Sequence, residues 1–243
     1  MINTIIFDLD GTLLPQDQDQ FINAYFSLLT NYLSPHGYPP EKLLKAVWSG
    51  TKKMIQNDGK MTNEEVFWRE FITFFGEESL NDKEHFAAFY RTKFSETRSF
   101  CGFNPQVPPL IKQLKEDGYQ LILATNPVFP LIATEQRIRW AGLNPRDFFY
   151  VTTYENSHFS KPNLKYYEEI IHQWHIDPLT CLMVGNDVDE DMVSGKLGFK
   201  TFLLTDCLIN KNAVDIKNLP QGDISDLINF IACEKAENLK ISY

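Results

Sequence analysis

Residues Ile5 to Leu14 read IIFDLDGTLL, and the rest of the chain is read outward from them. The apolar run before Asp8 suits a strand buried on both faces. It closes on two carboxylates, Asp8 and Asp10, one residue apart and followed by Gly11. A strand interior does not carry such a pair, because like charges at this spacing repel unless a cation or a proton lies between them. The two acids therefore mark the polar tip of a buried strand, with positive charge near it.

The chain of 243 residues is long enough for one large domain, or a core with a smaller insert. A formal net charge of −9 argues against nucleic acid or an anionic membrane as the main partner, since both call for clustered Lys and Arg. It does not argue against a phosphorylated metabolite, because a local metal ion reverses the field. Cys101, Cys181, Cys207 and Cys233 are widely spaced with no CxxC, which reads as free thiols in a reducing compartment. No stretch approaches the about 20 apolar residues needed to span a bilayer, and no cleavable leader pattern opens the chain. The expectation is a cytoplasmic protein.

From about Asp17 to Phe94 the pattern is helical throughout. Phe21, Tyr25, Leu28, Leu29 and Tyr32 share one face, and Leu43, Leu44, Val47 and Trp48 share another. Thr62 with Glu65 forms a capping-box signal ahead of Val66, Phe67 and Phe71, and Asn81 with Glu84 repeats it ahead of Phe86, Phe89 and Tyr90. This predicts four helices with a core of their own, in which Trp48 and Trp68 are taken as core. After Arg98 the rhythm alternates: helix over 105–115 ended by Gly118, strand 119–124, helix 131–141, strand 148–153, helix 164–174, strand 181–184, helix 192–197, strand 201–204 and helix 225–231. The stretch 210–222 reads as loop. Strands apolar on both faces and alternating with helices predict an α/β fold, a doubly wound parallel sheet with an all-helical insert after the first strand.

In such sheets ligands bind beyond the carboxyl ends of the strands. The residues there are Asp8 and Asp10, then Thr125 and Asn126, then Lys161, then Asn186, Asp187 and, a turn later, Asp191. Asp8, Asp10 and Asp187 are hard oxygen donors of the kind Mg²⁺ prefers. With a metal neutralising the approach of a phosphoryl group, Asp8 can attack phosphorus and form an aspartyl-phosphate. Asp10 can give a proton to the leaving oxygen and later take one from water. Thr125, Asn126 and Lys161 would hold the transferring oxygens, and Asp191 would orient Lys161 or an outer water. Gly11 permits a tight turn under the phosphate and Thr12 closes it. Asp189 and Glu190 are read as a solvated face.

DLDGT at Asp8–Thr12, the strand end at Thr125, Lys161 before Pro162 and the acidic motif Gly185–Asp191 together resemble the four motifs of the haloacid dehalogenase-like hydrolase superfamily. They occur in that superfamily's order and span the chain's core. The resemblance implies a Rossmann-like core (residues 1–15 and 98–243) carrying an α-helical cap (residues 16–97) that closes over the site. It implies a Mg²⁺-dependent phosphatase acting on a small phosphorylated metabolite. Many relatives have Asp directly after the glycine of the fourth motif, where this chain has Asn186. The metal position is therefore Asp187 or Asn186, and a third carboxylate balances Mg²⁺ better. The superfamily's dehalogenases resemble DxYGT at the first motif and use no metal, so Asp10 argues for phosphate chemistry. Phosphonate-cleaving relatives use a cap lysine; Lys42, Lys45, Lys52 and Lys53 are present, but no pattern singles one out.

Weighed singly, Thr125 reads as a turn residue, Lys161 as a surface charge and Asp191 as a helix-start charge favoured by the dipole. Only their joint order reverses this. His172 and His175, three apart on a helix, are read as exposed surface and not as a metal pair. Two further readings remain: a phosphomutase of the same superfamily, which would release no net inorganic phosphate, and a non-catalytic module that binds a phosphorylated ligand.

Overall fold

The structure is a computed structural model that describes residues 1–241. Its frame is a six-stranded sheet in which every pairing is parallel: β1 (Thr4–Phe7), β2 (Gln120–Leu123), β3 (Tyr150–Val151), β4 (Cys181–Gly185), β5 (Lys200–Leu204) and β6 (Gln221–Gly222), in the order β3-β2-β1-β4-β5-β6. The alternation of side chains along β1 shows why it lies at the centre. Ile5 and Phe7 join one core with Leu121, Leu123, Leu182 and Val184, while Ile6 faces the other side with Ile122, Ala124 and Met183. All are buried, so both faces must be covered, and the crossover helices cover them. These are α5 (Val107–Glu116), α6 (Leu131–Trp140) and α7 (Leu164–Trp174), with α8 (Ile224–Ile241) closing the chain.

Between β1 and β2 the chain makes its long helical excursion: α1 (Gln18–Leu33), α2 (Pro40–Ile55), α3 (Asn63–Phe75) and α4 (Lys83–Thr92). The Thr62–Glu65 capping box forms as read: Glu65 N–H donates to the Thr62 hydroxyl, and Thr62 N–H to the Glu65 carboxylate. Its core is aromatic. Phe71 is fully buried, with the rings of Phe67, Trp68, Tyr38, Phe75 and Phe86 all within about 6 Å of its centroid.

Several local expectations give way. Residues Glu77–Asp82 form a 3₁₀ segment, so Asn81 caps nothing and α4 starts at Lys83 without a side-chain cap. Met192–Leu197 is also 3₁₀ and not α-helical. β3 is two residues long, and β6 falls within the stretch read as loop. Trp68 is buried, but Trp48 is 48% exposed and lies on Phe26, so it is not core. His172 and His175 are exposed, and all four cysteines are free. Among the described residues no helix is long and apolar enough to cross a membrane.

Phe71→Ala removes the ring at the centre of this aromatic cluster, and a cost of about 3–5 kcal/mol is expected. Urea unfolding followed by far-UV circular dichroism measures it; a loss below 1 kcal/mol would show that the cluster repacks around the gap.

Candidate active site

The chain leaves β1 toward β2 and β3 on one side, then returns to β4, β5 and β6 on the other. The switch lies between β1 and β4, where the carboxyl ends of open α/β sheets bind ligands. Asp8 sits at this point. Its backbone N–H extends the ladder to the Val184 carbonyl at 2.9 Å, and its side chain is 10% exposed. The turn after it closes through Thr12 N–H and Leu14 N–H, both donating to the Leu9 carbonyl. Gly11 has φ +85°, and a Cβ there would lie 2.3 Å from Asn186 Nδ2, so the turn requires glycine on two counts.

Lys161 provides the positive charge that the first motif demands. Its Nζ is fully buried, 2.9 Å from Asp8 Oδ1 and 2.6 Å from Asp191 Oδ1. Burial alone would favour the neutral amine, but the carboxylates of Asp191 and Asp8 outweigh it and hold the ammonium well above the ordinary lysine value. Burial pushes the Asp191 carboxyl upward, against the pull of Lys161. Asp191 Oδ2 accepts from the Asp187 N–H at 3.0 Å, and a Cβ on Gly185 would overlap this carboxylate. Glycine before Asn186 is thus what lets Asp191 reach inward.

The Thr12 hydroxyl lies 3.1 Å from Asp8 Oδ2 and 2.9 Å from Asn186 Oδ1. Asn186 Nδ2 donates to the Cys207 carbonyl at 2.7 Å. A carbonyl only accepts, so this bond fixes which end of the amide turns to the Thr12 hydroxyl: the oxygen. Asp187, the residue the charge argument favours, is turned to other work. Its Oδ1 accepts from the amides of Asp189 (2.8 Å) and Glu190 (3.0 Å), closing the turn after β4. Among the described residues no group of three or more His, Cys, Asp and Glu side chains is arranged to hold a metal ion. Hard oxygen donors near Asp8 include the residues Asp8 and Asp10 and the Asn186 carboxamide, which shares the Thr12 hydroxyl with Asp8. These donors suit a small hard cation such as Mg²⁺.

Asp10 itself pairs with Arg137 Nη1. Burial pushes the Asp10 carboxyl above the ordinary carboxylate range, and Arg137 pulls the other way. Thr125 is buried at the end of β2, and its carbonyl accepts from Thr152 and Tyr166 hydroxyls at 2.8 and 2.9 Å. Asn126 Nδ2 donates to Glu190 Oε2 at 3.0 Å, so Glu190 is a buried-side partner of Asn126 and not part of a solvated face. Its carboxyl is raised by burial. His158 pairs with Glu169 at 2.6 Å and not with these groups. A cavity of about 730 Å³ opens beside Asp10, Gly11 and Asn186, and Asp17, Phe100 and Asp206 also line it. A separate apolar cavity of about 110 Å³ lies between the inserted helices and residues 128–130.

Two site residues escape the sequence reading. Glu190 is hidden in a run of acids. Arg137 lies in LIATEQRIRW, a helix whose buried positions include Ala133, Ile138 and Trp140. A charged residue on that apolar face is the signal that marks it.

Comparisons with known proteins follow the same lines. Residues 2–198 match the family model of the haloacid dehalogenase-like hydrolases. The chain is 26% identical over 238 residues to the glyceraldehyde 3-phosphate phosphatase of Methanothermobacter thermautotrophicus, covering 93% of this chain and 98% of that one. Among solved structures it is similar to a 2-haloacid dehalogenase from Pseudomonas syringae (19% identity, TM-score 0.63, covering 96% and 99% of the two chains). It is similar also to a HAD phosphatase from Thermococcus onnurineus (18%, 0.57, 95% and 98%). A third is the HAD-hydrolase YfnB of Bacillus subtilis (20%, 0.56, 95% and 99%), described as bound to magnesium and revealing interdomain movement. The chain belongs to the haloacid dehalogenase-like hydrolase family.

Lys161→Met leaves Asp8 and Asp191 buried without their counter-charge, and a loss of about 3–5 kcal/mol is expected. Adding Asp191→Asn should recover part of it. Denaturant unfolding of the two variants in metal-free buffer measures both; a Lys161→Met protein as stable as the parent would show that the ammonium is not the keystone.

Proposed function

We propose that this chain is a Mg²⁺-dependent phosphatase that hydrolyses a small phosphomonoester through an aspartyl-phosphate on Asp8. The observation that carries the reading is the setting of Asp8, held between the Lys161 ammonium and the Thr12 hydroxyl at the tip of the central strand, with Asp10 two residues on. The archaeal relative named as a phosphatase and the magnesium-bound neighbour support it.

In the first half-reaction an oxygen of Asp8 attacks phosphorus as the bond to the leaving group breaks, and Asp10 gives its proton to the leaving oxygen to form the alcohol. In the second, water attacks the same phosphorus, Asp10 takes a proton from it, and the bond to Asp8 breaks to release inorganic phosphate. Lys161, the Thr125 hydroxyl and the Asn126 amide hold the non-bridging oxygens, while Gly11 and Thr12 keep the turn clear beneath them. Asp191 keeps Lys161 in place. When bound, magnesium supplies positive charge that lets an anionic nucleophile approach an anionic phosphoryl group. We assign it to the Asp8 carboxylate, the backbone carbonyl of Asp10 and the carboxamide oxygen of Asn186, in place of Asp187, whose Oδ1 is engaged by two loop amides.

Residues 16–97 we assign to an α-helical cap on a core of residues 1–15 and 98–243, with hinges near Gln16 and Thr97. The two crossings run side by side in support of this: Gln16 pairs antiparallel with Cys101, and Gly102 N–H donates to the Pro15 carbonyl. Asn63, at the start of α3, bonds the Pro127 carbonyl and the Ser160 hydroxyl, both at 3.1 Å, next to Asn126 and Lys161. Closure of this kind excludes bulk water from the intermediate. The free cysteines fit a cytoplasmic setting.

Incubation with a panel of phosphomonoesters and Mg²⁺ should release net inorganic phosphate, which a mutase or a binding module would not do. Asp8→Asn should lower kcat by at least about a thousandfold with the fold retained, and chelator should abolish turnover. Full turnover by Asp8→Asn in chelator would overturn the reading. At the crossing, Gln16→Cys faces Cys101 at the spacing of an antiparallel pair, about 4.5–5.5 Å, within disulfide reach. Oxidation of that variant should slow turnover and reductant should restore it; unchanged turnover of the crosslinked protein would sink the hinge assignment.

A further inference from the structure

We infer that Arg137 is a positioning residue that grips the Asp10 carboxylate by one oxygen and so fixes the aim of the group that moves the proton. The inference rests on the phosphatase reading, in which Asp10 is the group that moves that proton.

A guanidinium as deeply buried as Arg137, at 1% exposure, is costly unless its charge is met. The carboxylate that meets it is Asp10, gripped at Oδ2 by Nη1. The other Nη donates to the Thr134 hydroxyl at 3.1 Å, and the Phe129 ring lies 4.6 Å from the guanidinium carbon. The group is thus fixed from three directions. A purely structural ion pair in so buried a place would be expected to saturate its hydrogen bonds. This pair does not: Arg137 Nε and Asp10 Oδ1 are both buried without a partner. Asp10 is tied at Oδ2, its Oδ1 is buried without a partner, and the residue lines the 730 Å³ cavity. Without the grip, Asp10 would rotate and present either oxygen, and its proton would meet the substrate in a fraction of orientations.

The seat of the guanidinium is itself built from the helical excursion. Phe129 contacts the rings of Phe21, Tyr25 and Phe94 at 6.4, 5.3 and 6.1 Å. Next to Arg137, Gln136 Nε2 donates to the Tyr90 carbonyl at 2.5 Å. The aim of Asp10 therefore depends on α1 and α4 being docked against α6.

Steady-state kinetics with Mg²⁺ and an accepted phosphomonoester test this. Arg137→Met should lower kcat by about a hundredfold with KM within about threefold, since the loss falls on the proton-transfer step. Millimolar guanidinium should raise the kcat of Arg137→Met and not that of the parent. In an Asp10→Asn background, Arg137→Met should cost less than about threefold, because the two residues act as a unit. The double variant removes both charges of the buried pair, so the comparison stands even where the single variant is destabilised. Arg137→Lys keeps the charge but loses the fork, and should fall between the parent and Arg137→Met. Parental kcat in Arg137→Met or Arg137→Lys, a loss confined to KM, or an equal loss with and without Asp10 would overturn the inference. A parent protein that hydrolyses no phosphomonoester would sink the phosphatase reading and this inference with it; an active parent beside an equally active Arg137→Met would sink this inference alone.

Discussion

One buried ammonium joins three stretches of chain that lie far apart in sequence. Lys161 reaches Asp8 at the tip of β1 and Asp191 beyond β4, and none of the three could occupy its place alone. Each carboxylate would be an uncompensated charge out of water, and so would the amine. The electrostatics of the site are therefore also a condition of folding at this edge of the sheet. A second pair, Asp10 with Arg137, repeats the arrangement beside it. Tyr166 and Tyr167, successive residues of α7, brace the backbone on either side through the carbonyls of Thr125 and Glu190. The groups around Asp8 are thus held by the protein's own hydrogen bonds, and such fixed charges are the kind that act most strongly on a reaction.

The sheet was legible because its strands are buried on both faces and end in polar residues, a pattern that survives without any knowledge of neighbours. Its far edge was not: Gln221–Gly222 pairs with β5 through backbone alone and carries no apolar signature. In the site, the residues that terminate strands were readable, while the direction in which each points was not. Asn186 and Asp187 show the difference. A count of charges prefers the carboxylate, but the tight turn after β4 leaves amides that need an acceptor, and Asp187 meets them. Local backbone hydrogen bonding engages Asp187 Oδ1, and composition does not record it. Arg137 was hidden for a related reason, since its partner is 127 residues away.

The helical excursion solves a problem of scale. A small helical unit has little interior, and large rings fill it with much buried area per residue. Phe71, Phe89 and Phe94 are fully buried there, and the same rings continue through Phe129 to the seat of Arg137. Packing in the excursion and charge placement at the sheet edge are in this way one continuous construction.

The narrow waist where Gln16 lies against Cys101, with Gly102 bonded back to Pro15, has an architectural corollary. Departure and return occur at one spot, so the sheet's register is indifferent to the length of what is strung between them. The excursion can therefore lengthen or shorten without shifting the strands, provided the rings that reach Phe129 and the seat of Arg137 are kept.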